Sequence, residues 1–332
     1  MNGLASHVIS NELVIHSYGE LPILKVEGFD GYDFASLGVT EQFLSEAHVY
    51  YEKYTKPEHF KELYSIALQL IDLPQGPISI LDIGTGGGNS LFAMLSLLGP
   101  DRVEALGVDI SPQLLELCAH AAVEEFDLNP RKINLICADL YDLEIVPESV
   151  DIVAGSSILH HMVDPVPIVR KALAALKPGG SAIFTEPFED GHGLLCSAYR
   201  TILAQDQLHG ESISPEMRTF MKEIVQDFDA RKGIGDIREY THVLDDKWFF
   251  TRSWFQNIGR DFGCDTRIVP THGAGKDIFW EAINSNARLH NGANADLLPD
   301  WAKQIVKNLD ASFSSQQKFE FAFTAVIVFT KH

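Results

Sequence analysis

The stretch "LDIGTGGGNS", residues 81–90, decides the fold. It joins the short apolar run "ISILDIG" (78–84) to "NSLFAMLSLLG", which ends at Gly99–Pro100. This order predicts a buried strand, a glycine-rich turn and a helix. Glycines let a ligand lie against bare backbone at the start of a helix. The turn is therefore a candidate binding site.

The spacing of the glycines argues against a dinucleotide. The dinucleotide fingerprint GxGxxG needs a glycine five residues after the first, and counting from Gly84 that position holds Asn89. The pattern present is Asp82-x-Gly84-x-Gly86-x-Gly88. A carboxylate at the end of the strand would repel a pyrophosphate and attract an ammonium group. We therefore expect a ligand with a cationic end, and a tight turn without any ligand is the alternative.

Strand-like and helix-like runs alternate beyond this turn. The helix-like runs are "SPQLLELCAHAAVEEF" and "DPVPIVRKALAALKPGG", the second with a Pro-Gly-Gly stop. This alternation predicts a parallel, doubly wound sheet. The strand-like runs lie at 103–110, 132–139, 149–157 and 181–187.

The flanking segments predict further units. Residues 8–27 predict a hairpin and 33–71 predict helices, whereas "FEFAFTAVIVFTKH" at the end predicts a strand. The first segment can form either a lid over the site or a dimer surface, and the sequence does not distinguish between them. The predicted organisation is a hairpin and helical lid or oligomerisation segment (1–75), a core (76–187), a helical cap (188–247) and a C-terminal part of the sheet (248–332) with an insertion at 271–317.

Composition limits the class of protein. The 332 residues carry a net charge of −20, which disfavours a nucleic-acid partner. The start of the chain lacks a signal-peptide pattern, and no apolar window is long enough for a membrane span. The four cysteines form no CxxC pair, so we expect reduced thiols and a cytoplasmic protein without a membrane or nucleic-acid partner.

The glycine turn resembles motif I of the class I S-adenosylmethionine-dependent methyltransferases. The following strand ends, "LGVDIS" and "CADL", resemble the next motifs of that family in order. The resemblance implies a Rossmann-like, doubly wound, seven-stranded and mostly parallel α/β sheet with helical cap segments, and S-adenosylmethionine as cofactor. Carried over to this sequence, the cofactor residues are Asp82, Gly84, Thr85, Gly86, Gly88, Asp109, Ile110, Asp139, Leu140 and Ser156. In this family the acidic residue that corresponds to Asp109 binds the ribose, and the one that corresponds to Asp139 binds the adenine amino group.

"GSSILHHMVDP", residues 155–165, resembles the loop after the fourth strand in small-molecule methyltransferases. In several of these a histidine deprotonates the acceptor hydroxyl, a task that suits its ordinary pKa. We expect His161 in this role, because His160 can turn back toward the sheet. Glu186, at the end of "IFTEP", can orient a histidine, bind a substrate or cap a helix. Packing remains the alternative for the histidines, whereas a metal site of His160, His161 and Asp164 is disfavoured and no metal is expected.

The sequence thus predicts methylation of a small molecule, with O-methylation favoured and natural-product metabolism as a setting. The amino-methylase pattern [N/D]PP[Y/F] is absent after the fourth strand. N- or C-methylation of a small molecule stays open. So does a protein of this fold that does not methylate, either an enzyme of another kind or a protein that only binds S-adenosylmethionine.

Overall fold

The computed structural model describes residues 3–17, 19–29, 40–273, 277–288, 290 and 293–332. Within them, one nine-stranded sheet has the order β1-β2-β5-β4-β3-β6-β7-β9-β8. The start of the predicted helical stretch 33–71 and parts of the insertion lie outside the described residues. The strands are β1 (Leu13–Ser17), β2 (Ile23–Val26), β3 (Ile78–Ile83), β4 (Val103–Asp109), β5 (Ile133–Cys137), β6 (Val150–Ser156), β7 (Leu176–Pro187), β8 (Cys264–Pro270) and β9 (Thr324–Lys331).

The pairing confirms the predicted fold class. Strands β2, β5, β4, β3, β6 and β7 run parallel, whereas β1 and β9 each pair antiparallel with their neighbours. Strand β3 lies between β4 and β6, so the turn that follows it is the point at which the chain switches direction across the sheet. Open α/β sheets bind ligands at such a point.

The predicted number of seven strands is too low, because the N-terminal hairpin adds two strands to the sheet. Strands β3 to β9 make up the predicted number of seven, and the hairpin extends them, with Ile23 opposite Leu135 of β5. Ile23 is 1% exposed, so this pairing buries an apolar side chain at what would otherwise be an open sheet edge. The hairpin therefore belongs to the sheet and not to a separate lid.

Helices cover both faces of the sheet. Helix α5 begins as predicted, since the Ser111 side chain accepts a hydrogen bond from the backbone N–H of Leu114 and Pro112 occupies the first turn. The helices are α1 (Leu4–Val8), α2 (Ala47–Tyr54), α3 (Pro57–Leu68), α4 (Asn89–Leu98), α5 (Pro112–Glu124), α6 (Val166–Ala175), α7 (Glu189–Gln205), α8 (Pro215–Arg231), α9 (Arg252–Asp261), α10 (Ile278–Ala287), α11 (Asp300–Ala311) and α12 (Ser315–Glu320).

The cap has an apolar core of its own. Side chains of α7, α8, α10 and α11 form one buried cluster, in which Tyr199, Phe220 and Phe279 are the largest members. The predicted cap 188–247 and the insertion 271–317 thus pack on each other. Among the described residues, no helix is both long and apolar enough to cross a membrane.

Two local predictions were wrong. Helix α6 ends at Ala175, and the Pro-Gly-Gly residues 178–180 belong to β7, where a shift of register between Val150 and Ile152 of β6 accommodates them. The final strand begins only at Thr324. The residues before it form α12, because Ser314 and Gln317 make reciprocal capping bonds that favour a helix.

Candidate active site

The carboxyl ends of β3, β4, β5, β6 and β7 meet at one edge of the sheet, since these strands are parallel. The turn after β3 enters α4 through three glycines with positive φ: +66° at Gly84, +50° at Gly86 and +95° at Gly88. These backbone angles favour glycine over any residue with a Cβ. All the predicted site residues lie on or beside this edge.

Side chains of the protein itself cover part of the turn. A Cβ at Gly84 would lie 2.4 Å from Cγ1 of Ile158, and a Cβ at Gly87 would lie 2.4 Å from Cδ2 of Tyr51. Close packing against Ile158 and Tyr51 therefore explains why glycine occupies these two positions. It also fixes Ile158, in the loop after β6, directly against the turn.

Gly86 differs from its neighbours. Among the described residues, a Cβ there would meet only Leu114, at 3.9 Å. Its backbone N–H donates to Oδ2 of Asp109, 2.8 Å away. Gly86 thus combines bare backbone, open space and an adjacent carboxylate, which is what a bound nucleoside requires.

Asp82 supports the turn from below. Its carboxylate is fully buried and accepts hydrogen bonds from the hydroxyls of Thr85 (2.6 Å) and Ser90 (2.7 Å). Burial raises the pKa of Asp82 to about 7, although those two hydroxyls oppose the rise. The enclosed carboxylate and Thr85 therefore hold the shape of the turn.

Asp109 ends β4 with both carboxylate oxygens in use. Oδ2 accepts from Gly86, and Oδ1 accepts from the backbone N–H of Ser111 at 2.8 Å. Burial raises the pKa of Asp109, and the backbone N–H groups oppose the rise. A carboxylate offers about four acceptor positions, so two remain for the hydroxyls of a ribose. The next residue, Ile110, is half-buried at the start of the connection to α5.

Asp139 follows β5, and its Oδ1 accepts from the backbone N–H of Tyr141 at 2.8 Å. Burial raises the pKa of this carboxyl. Leu140 belongs to the buried core, where it is 5% exposed. Ser156 ends β6 and pairs with the hydroxyl of Tyr64 on α3, 2.8 Å away.

His160 turns back toward the sheet. Its Nδ1 lies 2.6 Å from Oε2 of Glu186, a side chain with no exposed surface, and Oε1 of Glu186 accepts from the backbone N–H groups of Ile158 and Leu159. Burial alone lowers the pKa of His160, but the carboxylates of Glu186 and Asp246 outweigh it and raise the pKa to about 9. Glu186 therefore orients a histidine, one of the three roles predicted for it.

His161 lies against the segment that contains Asp245 and Asp246. Its Nδ1 lies 3.0 Å from the backbone oxygen of Asp245 and 3.4 Å from Oδ1 of Asp246. Burial and the charge on His160 lower the pKa of His161 to about 3, so its ring is neutral and is a weaker base than the expected proton transfer requires. The edge of the Phe43 ring faces it, with the ring centroids 5.0 Å apart.

Asp246 is the site residue that the sequence analysis missed. Its Oδ1 lies 3.6 Å from Nε2 of His160, and its Oδ2 lies 3.3 Å from Nη1 of Arg231. Arg231, at the end of α8, also pairs with Asp227 and lies over the ring of Phe249. The paired aspartates at 245–246, directly before an aromatic run, were the available signal.

The N-terminal segment covers the same edge. Burial raises the pKa of Tyr50 on α2, and the charges of Asp109 and Asp246 raise it further, so its phenol lies within electrostatic reach of both carboxylates. The hydroxyl of Ser111 donates to the backbone oxygen of Phe43. This part of the N-terminal segment therefore spans the region between Asp109 and the histidines.

Asp164 lies apart from the histidine cluster with which the sequence analysis had grouped it. Its Oδ1 accepts from the backbone N–H of Val166, and its backbone oxygen accepts from the hydroxyl of Tyr141. The carboxylate thus accepts the first backbone N–H of α6. Asp246 takes the place beside His160 and His161.

The residues present fit S-adenosylmethionine. Gly86 offers the open backbone, while Asp109 and Asp139 offer carboxylates for the nucleoside hydroxyls and the adenine amino group. Ile158 connects the turn to the histidine loop. The cofactor residues of the resemblance thus lie along one edge, although Asp82, Thr85 and Ser156 use their polar groups inside the protein.

Comparison with protein families agrees with this geometry. Residues 81–184 match the family described as "Methyltransferase domain". The match confirms the resemblance for these residues and supports S-adenosylmethionine as the cofactor of this domain.

Similar proteins cover part of the chain. A ubiquinone biosynthesis O-methyltransferase of Coxiella burnetii is 31% identical over 106 residues, which are 32% of this chain and 42% of that protein. The same enzyme of Neisseria meningitidis serogroup A is 32% identical over 137 residues, 39% of this chain and 55% of that protein. The chain thus spans about half the length, or less, of these curated relatives.

A solved structure supports the fold. A chain in the complex between the Haloferax volcanii Trm112 methyltransferase activator and a methyltransferase superposes with a TM-score of 0.51 at 15% identity, covering 89% of this chain and all of that one. At this identity the similarity concerns the fold alone.

Proposed function

We propose that this chain, in which residues 81–184 form a methyltransferase domain, transfers the methyl group of S-adenosylmethionine to a hydroxyl of a small molecule. The relatives similar over this domain are named as O-methyltransferases, which supports oxygen as the acceptor atom. The contact between Ile158 and Gly84 carries the proposal. It holds the histidine loop against the glycine turn.

The cofactor side of the site is formed by β3, β4 and β5. S-adenosylmethionine supplies an electrophilic methyl group on a sulfonium. Asp109 and Asp139 would hold its adenosine, and the backbone at Gly86 would lie against it. Asp82 maintains the turn through its hydrogen bonds from Thr85 and Ser90.

The acceptor side is formed by the loop after β6. Glu186 fixes His160, so the position of this loop is set before any substrate binds. The His161 side chain is 17% exposed, and we assign to it the contact with the acceptor hydroxyl. Alignment of the hydroxyl with the methyl group supplies most of the rate, because proximity and orientation are worth several kcal/mol in such reactions, about 7–11 in favourable cases.

The test uses methyl-labelled S-adenosylmethionine and matched sets of small molecules: phenols or alcohols, their methyl ethers, and the corresponding amines. We expect label on the hydroxyl compounds and none on their ethers. Label on nitrogen or carbon would contradict O-methylation. Binding of S-adenosylhomocysteine without transfer to any set would contradict methyl transfer itself and would favour a protein that only binds the cofactor.

Four finer expectations stay predictions. They are a role in natural-product metabolism, a cytoplasmic location, a homodimer, and the absence of nucleic-acid or membrane partners.

The identity of the acceptor depends on the cap, whose aromatic side chains Phe228 and Phe249 lie near Arg231.

A further inference from the structure

Three donor atoms converge beside the glycine turn. Nε2 of His160 lies 3.6 Å from Oδ1 of Asp246, and Nδ1 of His161 lies 3.4 Å from the same oxygen. One ligand atom from each of the three residues lies within 4.8 Å of the other two. The two histidines belong to the loop after β6, whereas Asp246 lies near the end of the cap, before α9.

These separations are too long for strong hydrogen bonds. A charge-assisted N–H···O bond measures about 2.7–2.9 Å. Nitrogen and oxygen ligands lie about 2.0–2.2 Å from Zn²⁺ in a tetrahedral site, so two ligands of one ion are about 3.4 Å apart. The observed separations of 3.4 and 3.6 Å match the edges of such a tetrahedron.

The groups behind two of the three residues match those of a metal site. Metal-binding histidines almost always donate their second ring N–H to a carboxylate or carbonyl, and ligating carboxylates are themselves hydrogen-bonded. Nδ1 of His160 lies 2.6 Å from Oε2 of Glu186, which directs the lone pair of Nε2 toward Asp246. Nη1 of Arg231 lies 3.3 Å from Oδ2 of Asp246, leaving Oδ1 for a ligand.

Charge balance favours a cation at this point. His160 is 7% exposed and lies between the carboxylates of Glu186 and Asp246. To bind an ion through Nδ1, His161 carries its proton on Nε2 and gives up its hydrogen bond to the backbone oxygen of Asp245.

We propose that His160, His161 and Asp246 bind a divalent transition-metal ion, with Zn²⁺ as the best match. Two imidazoles and one carboxylate suit Zn²⁺, whereas Mg²⁺ and Ca²⁺ prefer oxygen ligands. Three protein ligands leave a fourth position for water or an acceptor oxygen, the arrangement of catalytic rather than structural zinc sites. The site stands on its own geometry and does not depend on methyl transfer.

The test measures binding of Zn²⁺ alone by calorimetry, at fixed pH, to full-length protein that is free of tags and stripped of metal by a chelator. We expect one ion per chain and at least a tenfold weaker affinity for Asp246→Asn. Asp245→Asn is the matched control, because that neighbouring side chain is exposed. Glu186→Gln, which keeps all three ligands, should weaken binding about 10–100-fold.

Circular dichroism of each variant establishes that it is folded. An absence of stoichiometric Zn²⁺ binding by the wild-type protein would overturn the proposal. So would equal affinities of the folded Asp246→Asn and Asp245→Asn proteins. Methylation by metal-free protein would leave the proposed function intact, so the two proposals fail separately.

Discussion

Oε2 of Glu186 lies 2.6 Å from Nδ1 of His160, and the two side chains are 0% and 9% exposed. Glu186 lies at the end of β7, and His160 follows the neighbouring strand β6. This pair ties the histidine loop to the sheet. Since Ile158 of the same loop packs on Gly84, the pair also fixes the loop relative to the glycine turn.

Glu186→Gln should lower the free energy of unfolding by about 1–3 kcal/mol, because an amide cannot serve His160 and two backbone N–H groups as a carboxylate does. Urea denaturation measures this change. The control is Glu148→Gln, whose side chain is 58% exposed in its pair with Lys331 and should change stability by less than about 0.5 kcal/mol. Equal effects of the two substitutions would show that the buried pair does not stabilise the fold.

Gly86→Ala should weaken binding of S-adenosylhomocysteine at least tenfold, since the new methyl group would occupy the open side of the turn. Gly99→Ala is the matched control: its φ is +89°, and a Cβ there meets no described residue within 4 Å. Both substitutions should cost about 1–2 kcal/mol of stability through the backbone conformation. Calorimetric titration separates them, and unchanged affinity of Gly86→Ala would contradict the assignment of Gly86 to the cofactor site.

His161→Ala should lower kcat about tenfold, the effect of one lost hydrogen bond of about 1–1.5 kcal/mol to the acceptor, and change the affinity for S-adenosylhomocysteine less than twofold. His242→Ala, an exposed histidine of the cap, should leave kcat unchanged. Steady-state kinetics with an identified acceptor provides the comparison. Full activity of His161→Ala would refute the acceptor contact.

Asp82 predicts a particular pH dependence of stability. Its pKa is about 7 in the folded protein and near 3.8 when unfolded, so the folded state holds the extra proton between these values. The contribution of Asp82 to stability therefore falls as pH rises from about 4 to about 7, by roughly 1 kcal/mol per pH unit, and is constant above that. The Asp82→Asn variant has no carboxyl group to titrate at this position. Its free energy of unfolding relative to wild type should therefore rise as pH increases from about 4 to about 7.

Urea denaturation of both proteins at several pH values gives this difference directly. Other titrating groups are common to the two proteins and cancel. A difference that does not change between pH 4 and 7 would mean that Asp82 titrates normally in the folded state.

The regular part of the fold was accessible from the sequence, because each buried strand of 78–187 is apolar and followed by a turn or helix signal. The turn "DIGTGGG" directly follows such a strand, and it therefore predicted at which edge of the sheet the candidate site lies. The N-terminal hairpin was recognised, but its pairing with β5 was not, since the partner of an edge strand depends on contacts distant in sequence. The Pro-Gly-Gly sequence at 178–180 was wrongly interpreted as the end of a helix. Proline and glycine are common both after helices and in bulged strands.

The polar cluster was only half predictable. His160, His161 and Glu186 follow strands that lie side by side in the sheet, so their proximity could be inferred. Asp246 lies near the end of the cap, and nothing in local periodicity places it 3.6 Å from Nε2 of His160. Likewise, the enclosure of Asp82 by Thr85 and Ser90 depends on the three-dimensional form of the turn.

The most direct measurement of the central claim is calorimetric titration of the protein with S-adenosylhomocysteine. We predict one site per chain and at least tenfold weaker binding to Asp109→Asn, which removes the negative charge beside the backbone N–H of Gly86. Asp101→Asn, at an exposed position before β4, should bind as the wild type does. Absence of binding to the wild-type protein, or equal affinity of the Asp109→Asn variant, would contradict the cofactor site described above.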